Sequence, residues 1–129
     1  DIIRSYWDPI LYNANSEPQL KWSINMLQKY DFKGNEFVLD VGCGNGRVTA
    51  LIASIVKRGE VLGIDLSQEM VHFANQAYNN LPNVSFQQGN AADFNLPYQF
   101  DLITCFNVLH WIYQQEQALT CIYHHLRPQ

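Results

Sequence analysis

Phe37-Val38-Leu39-Asp40-Val41-Gly42-Cys43-Gly44-Asn45-Gly46 is the stretch on which the fold turns. A short apolar run closes on an acid, and a turn with three glycines then opens onto the periodic segment Arg47 to Lys57. An apolar run of this length suits a strand buried on both faces. Glycine in the turn permits positive φ and removes the Cβ atoms that would hold a ligand away from the backbone. A strand that delivers such a turn to a helix N-terminus is how α/β proteins hold nucleotide-like ligands.

Working outward, strands and helices alternate. Glu60 to Asp65 reads as a second strand ending in an acid, and Ser67 as the N-cap of a helix reaching Tyr78, with Glu69 in its first turn. Asn83 to Gln87 is the third strand and Phe100 to Phe106 the fourth, while Gln114 to Leu126 forms a last helix stopped by Pro128. Upstream, Leu20, Ile24, Leu27 and Tyr30 recur at helical spacing in a helix from Pro18, with Ser16 as its candidate N-cap. The alternation predicts right-handed β-α-β units and a doubly wound parallel sheet. The expected division is an N-terminal helical cap over 1–33 and an α/β core over 34–129, apparently truncated after its fourth strand-helix unit.

Bulk composition narrows the function. The chain has 129 residues, 47% hydrophobic and only 16% charged, with a net charge of −4 and its eight Lys and Arg residues scattered. That balance disfavours nucleic acid as a partner, which needs a concentrated basic surface. No apolar run approaches the roughly 18 residues of a membrane span. Three cysteines without metal-ligand spacing read as reduced thiols, which points to the cytoplasm. His124 and His125 near Cys121 do not make a metal site, since adjacent helical side chains diverge and no acid completes the set.

Three acids stand at the ends of successive strands. Asp65, nineteen residues past Gly46, can accept from both hydroxyls of a ribose. Asp93, in Gly89-Asn90-Ala91-Ala92-Asp93-Phe94, can accept from the exocyclic amino group of a base, with Phe94 shielding the ring. Asp40 either holds the turn together or meets a cationic ammonium. A dinucleotide fingerprint asks for a small residue at position 47, where this chain has Arg47. The acids suit an electropositive ligand carrying ribose and adenine, and no Gly-Lys-Ser/Thr phosphate loop is present.

Asp40-Val-Gly-Cys-Gly-Asn-Gly46, Gly63-Ile-Asp-Leu-Ser67 with Met70, Gly89-Asn-Ala-Ala-Asp93 and Phe100-Asp-Leu-Ile-Thr-Cys-Phe106 occur in this order. Together they resemble the class I S-adenosylmethionine-dependent methyltransferases over about residues 34–127. The resemblance implies a Rossmann-like fold and S-adenosyl-L-methionine as cofactor. It implies that Asp40 and the loop Gly42, Cys43, Gly44 and Gly46 lie under the methionine part and that Asp65 binds the ribose. Leu66 or Met70 would pack on the adenine, Ala92 and Asp93 would reach its edge, and Phe106 and Asn107 would line the pocket.

The ends of the chain refine this. Trp7-Asp-Pro9, Tyr12, Gln19 and Leu109-His-Trp111 resemble the branch that methylates small carboxylic acids, including trans-aconitate and juvenile hormone acid methyltransferases. The expected reaction is O-methyl transfer to a small carboxylate, by a monomer or weak dimer. Tyr6, Trp7 and Tyr12 either close an aromatic lid over the substrate or are N-terminal core residues. His110 is the candidate base or hydrogen-bond donor, or it orients the strand-four exit with Trp111. Two other functions stay open: a non-catalytic cofactor-binding module, and a nicotinamide-dependent oxidoreductase, against which Arg47 counts.

Overall fold

The computed structural model describes residues 17–106 and 115–128. The chain divides into two units, Asp1–Lys33 and Gly34–Gln129. In the first, helix α1 (Pro18–Leu27) starts from Glu17, not from Ser16. Pro18 takes the first helical position, where its fixed φ is already helical and its missing N–H has no partner to lose. The helix also ends before Tyr30, because the Lys29 and Tyr30 amides tighten onto the carbonyls of Met26 and Leu27.

The second unit is built on four parallel strands, β1 (Phe37–Val41), β2 (Glu60–Asp65), β3 (Val84–Gln88) and β4 (Leu102–Thr104), in the order β3-β2-β1-β4. Asp40 pairs with Gly63 on one side and Thr104 on the other, and Asp65 pairs with Gln88. Every strand therefore ends at one edge of the sheet. Strand order reverses beside β1, which makes that edge a topological switch point where α/β sheets take ligands.

Helices α2 (Arg47–Ile55) and α3 (Gln68–Ala77) cover one face, and α4 (Gln115–His125) covers the other. Alternation along the strands decides which residue meets which layer. Leu39, Val41, Leu62 and Ile64 join Phe94, Leu96 and Phe100 in a core against which Cys121 and Ile122 of α4 pack. On the opposite face Cys43, Val71, Ala74 and Phe86 form a smaller cluster. Gly63 belongs there: a Cβ at this position would lie 2.8 Å from the Phe86 ring and 3.0 Å from Cys43. The absent side chain of β2 is the space that Phe86 of β3 fills.

Element ends differ from the sequence pattern by a few residues, each for a local reason. Helix α2 stops at Ile55, not Lys57, and the Asn83 side-chain amide donates to the carbonyls of Ala53 (2.9 Å) and Val56 (3.0 Å). Asn83 is thereby spent as a cap, and β3 begins at Val84. Strand β4 begins at Leu102, not Phe100, because the two residues before it bond elsewhere. The Phe100 amide donates to the His125 carbonyl (2.7 Å), and Asp101 takes the Phe37 amide (2.8 Å) and the Arg127 guanidinium (2.9 Å). Ser67 caps α3 as the sequence indicates, accepting from the Met70 amide. Among the described residues no helix is long and apolar enough to cross a membrane.

Phe94 is buried at 5% exposure within this core, its ring 4.6 Å from that of His125. Enclosed with Val41, Ile64, Leu96 and Phe100, its ring is taken up by the core and not left to shield a base. His125 anchors the segment. Its Nε2 accepts from the Leu96 amide (3.1 Å) while Nδ1 donates to the Cys121 carbonyl (2.8 Å), which assigns the Nδ1–H tautomer. His125→Phe would keep the ring contact and leave the Leu96 amide unpaired. Urea denaturation should show a loss of about 1–3 kcal/mol, the cost of a buried orphan donor.

Candidate functional site

The site lies at the C-terminal ends of β1, β2 and β3. The turn after β1 places Gly42, Gly44 and Gly46 at φ of 72°, 55° and 86°, in the left-handed region. The glycines do different work. A Cβ on Gly46 would fall 2.7 Å from Phe86 and 2.9 Å from Ala74, so Gly46 lets α2 and α3 close over β3. A Cβ on Gly44 would meet nothing within 4 Å. Its backbone borders open space, the property a ligand cradle requires. Cys43 gives the turn its backbone only; its side chain is buried, and burial pushes the thiol far above its usual range, with Asp40 and Asp65 adding to the effect.

Hydrogen bonds join the turn to β2. The amides of Gly42 and Cys43 both donate to the Ile64 carbonyl, at 2.8 and 2.9 Å. Asp65 takes the Gly44 amide on one carboxylate oxygen (2.8 Å) and the Ser67 amide on the other (2.9 Å). Its carbonyl accepts from Gly89 (3.0 Å), and Gln88 Nε2 donates to the Leu66 carbonyl (3.0 Å). Asp65 thus links the glycine turn, the start of α3 and the loop after β3. That loop is shaped by Asn90, whose side chain accepts from Ala92 (2.9 Å) and whose carbonyl accepts from Asp93 (3.0 Å).

Asp40 lies at 3% exposure below the turn. It binds no turn amide. Its two oxygens accept from the Thr49 hydroxyl of α2 (2.7 Å) and the Thr104 hydroxyl of β4 (2.8 Å). Burial raises its pKa from 3.8 to about 6, the two hydroxyls oppose that rise, and the charge of Asp65 adds to it. Thr49 and Thr104 were not legible as site residues from motif spacing. Thr104 did carry a signal, being a hydroxyl inside an apolar strand.

Asp40, Gly42, Cys43, Gly44, Gly46, Asp65, Leu66, Met70, Ala92 and Asp93 all fall at this edge, on the turn, on α3's first residues or on the loop after β3. Leu66 and Met70 stand 65% and 45% exposed, Ala92 is buried and Asp93 is exposed. Phe106, half-buried, follows β4 by two residues. Asn107, His110, Trp111, Tyr6, Trp7 and Tyr12 lie outside the described residues. Among the described residues no group of three His, Cys, Asp or Glu side chains gathers where it could hold a metal.

Comparison with known proteins gives the same direction. The profile of a family described as "Methyltransferase domain" matches residues 38–129. Juvenile hormone acid O-methyltransferase of Drosophila melanogaster is 35% identical over 88% of this chain and 46% of its own length. Trans-aconitate 2-methyltransferase of Deinococcus radiodurans is 36% identical over 95% of this chain and 46% of its own. The chain thus spans less than half the length of these relatives. Among solved structures, PKMT2 from Rickettsia typhi in complex with AdoHcy superposes with a TM-score of 0.68 at 26% identity. That match covers 76% of this chain and 20% of PKMT2. The YcgJ protein from Bacillus subtilis gives 0.71 at 31% identity, covering 81% and 45%.

The buried acid makes a measurable contribution of its own. Folding raises the proton affinity of Asp40, so the associated stability is fully present below pH 3.8 and is lost as pH rises through about 6. Relative to Asp40→Asn, the unliganded protein should lose on the order of 2–3 kcal/mol of stability across that window. Urea midpoints collected at half-unit pH steps on both proteins would show it, and parallel profiles would contradict it.

Proposed function

Because the chain belongs to the methyltransferase domain family, we propose that its Gly34–Gln129 unit binds S-adenosylmethionine and that the protein methylates a small molecule, at the carboxylate of an organic acid. The observation that carries the reading is the open backbone at Gly44 joined directly to the Asp65 carboxylate.

The residues fit the cofactor part by part. Each Asp65 oxygen has spent one lone pair on an amide and keeps another, so the vicinal hydroxyls of a ribose can both donate to it. The exposed side chains of Leu66 and Met70 offer apolar surface for a purine ring, and Asp93 an acceptor for its amino group. The N-terminus of α2, reached through Gly46, presents helix-end amides to an α-carboxylate. When bound, the cofactor supplies a methyl group on a cationic sulfur, an electrophile that needs no further activation.

The work left to the chain is binding and orientation, which in well-aligned reactions is worth up to roughly 7–11 kcal/mol. The relatives named for juvenile hormone acid and trans-aconitate support an acid as acceptor. A carboxylate is ionised at neutral pH and is its own nucleophile, so this substrate class requires no general base. Holding the acid and excluding water suffice.

Calorimetric titration with S-adenosylhomocysteine tests the cradle. Asp65→Ala should weaken binding by about 1.5–3 kcal/mol, the worth of hydrogen bonds to a charged acceptor. An unchanged affinity would remove the ribose assignment. For the acceptor, the whole protein is incubated with methyl-labelled cofactor and a panel of small di- and tricarboxylic and fatty acids. Base-labile methyl ester should appear in the small-molecule fraction, whereas label confined to protein or RNA would reject a small acid.

A further inference from the structure

Gln88 ends β3, an edge strand of the sheet, and its side chain is exposed. None of the proposed cofactor contacts uses it. We infer, resting on the reading of Asp65 as the acceptor for a ribose, that Gln88 is a positioning residue. It holds the Leu66–Ser67 peptide, and through that peptide the Asp65 carboxylate, in the orientation that the ribose meets.

The contacts run without a break. Gln88 Nε2 donates to the Leu66 carbonyl at 3.0 Å. A carbonyl can only accept, so the amide nitrogen of Gln88 and not its oxygen faces it. The same peptide carries the Ser67 N–H at its other end, and that N–H donates to one oxygen of Asp65 at 2.9 Å. A trans peptide is planar, with its C=O and N–H directed oppositely. Fixing the carbonyl therefore fixes where the N–H points. Hydrogen bonds in series also polarise one another, so donation from Gln88 makes the Ser67 N–H a better donor.

The ladder between the strands cannot do this alone. Registered pairing of β2 with β3 ends at Asp65 and Gln88, and the Asp65 carbonyl still accepts from the Gly89 amide at 3.0 Å. The Leu66 carbonyl lies one peptide further on, where the chain leaves the sheet for α3. A side chain carries the attachment across that step. With the Asp65 backbone set by the ladder, its carboxylate is oriented by the two amides that it accepts. Gly44 supplies one from the turn at 2.8 Å, and Ser67 the other from the peptide that Gln88 steadies.

An exposed hydrogen bond adds little to folding, because water replaces it when it is lost. Water does not fix a direction. The Gln88 amide should therefore matter more to ligand binding than to stability.

A double-mutant cycle tests this, read by calorimetric titration of the whole protein with S-adenosylhomocysteine. Gln88→Met keeps the length of the side chain and removes the donor. It should weaken binding about threefold to tenfold, the worth of one hydrogen bond, while the urea midpoint stays near that of the parent protein. Gln88→Glu, ionised at neutral pH and unable to donate, should lose at least as much. In the Asp65→Ala background the Gln88→Met change should alter affinity about twofold or less, because the carboxylate it orients is gone. A merely structural Gln88 would give the same loss in both backgrounds. That result, or full affinity in Gln88→Met or Gln88→Glu, would overturn the inference and leave the cofactor reading intact. Failure of the parent protein to bind S-adenosylhomocysteine would overturn both.

Discussion

Two amides, those of Gly42 and Cys43, converge on the Ile64 carbonyl at 2.8 and 2.9 Å, and the upper edge of the sheet hangs on that contact. A parallel ladder alone would let the chain leave β1 in any direction. By accepting twice, Ile64 pulls the departing chain back over the neighbouring strand. This puts Gly44 within 2.8 Å of the next carboxylate, Asp65. The turn can make that return only with φ near 72° at Gly42 and 55° at Gly44, so glycine there follows from the hydrogen bonds and not from ligand contact alone. A cofactor would find the cradle already assembled, which reduces the ordering cost of binding.

The two acids at this edge have divided roles set by depth. Asp65 is partly exposed, accepts two backbone amides and keeps acceptor capacity toward solvent. Asp40 is enclosed, accepts only hydroxyls, and is raised to about 6. Hydroxyls can rotate to suit either protonation state, whereas amide donors cannot. Burial is what raises Asp40, and its two hydroxyl partners oppose that rise.

Much of the architecture was legible in the sequence because the governing patterns are local. Continuous apolar runs marked β1 and β2 to the residue, Ser67 marked the start of α3, and the glycine spacing marked the turn. What escaped reading was long-range. Asn83 caps a helix that lies about thirty residues earlier, and His125 completes the Leu96 amide from 29 residues away. No periodicity announces either one. Phe94 misled for a related reason: it adjoins the exposed Asp93 in sequence, but with Leu96 it is buried in the core. The partners of Asp40 were hidden because contact across a sheet is set by register, and register became visible only once Thr104 stood opposite Asp40.

Gly63 and Phe86 occupy a single volume, one contributing the absence of a side chain and the other the ring that fills it. Neither position is free to vary alone. A methyl on β2 needs a smaller residue on β3, and a smaller residue on β3 leaves a void unless β2 grows. The same ring is the surface against which Gly46 closes, so the compensation reaches the turn as well. The floor of the site and the edge strand of the sheet are therefore coupled through one ring. Substitutions chosen to reshape the cradle will be tolerated in coordinated sets across positions 46, 63 and 86, not one at a time.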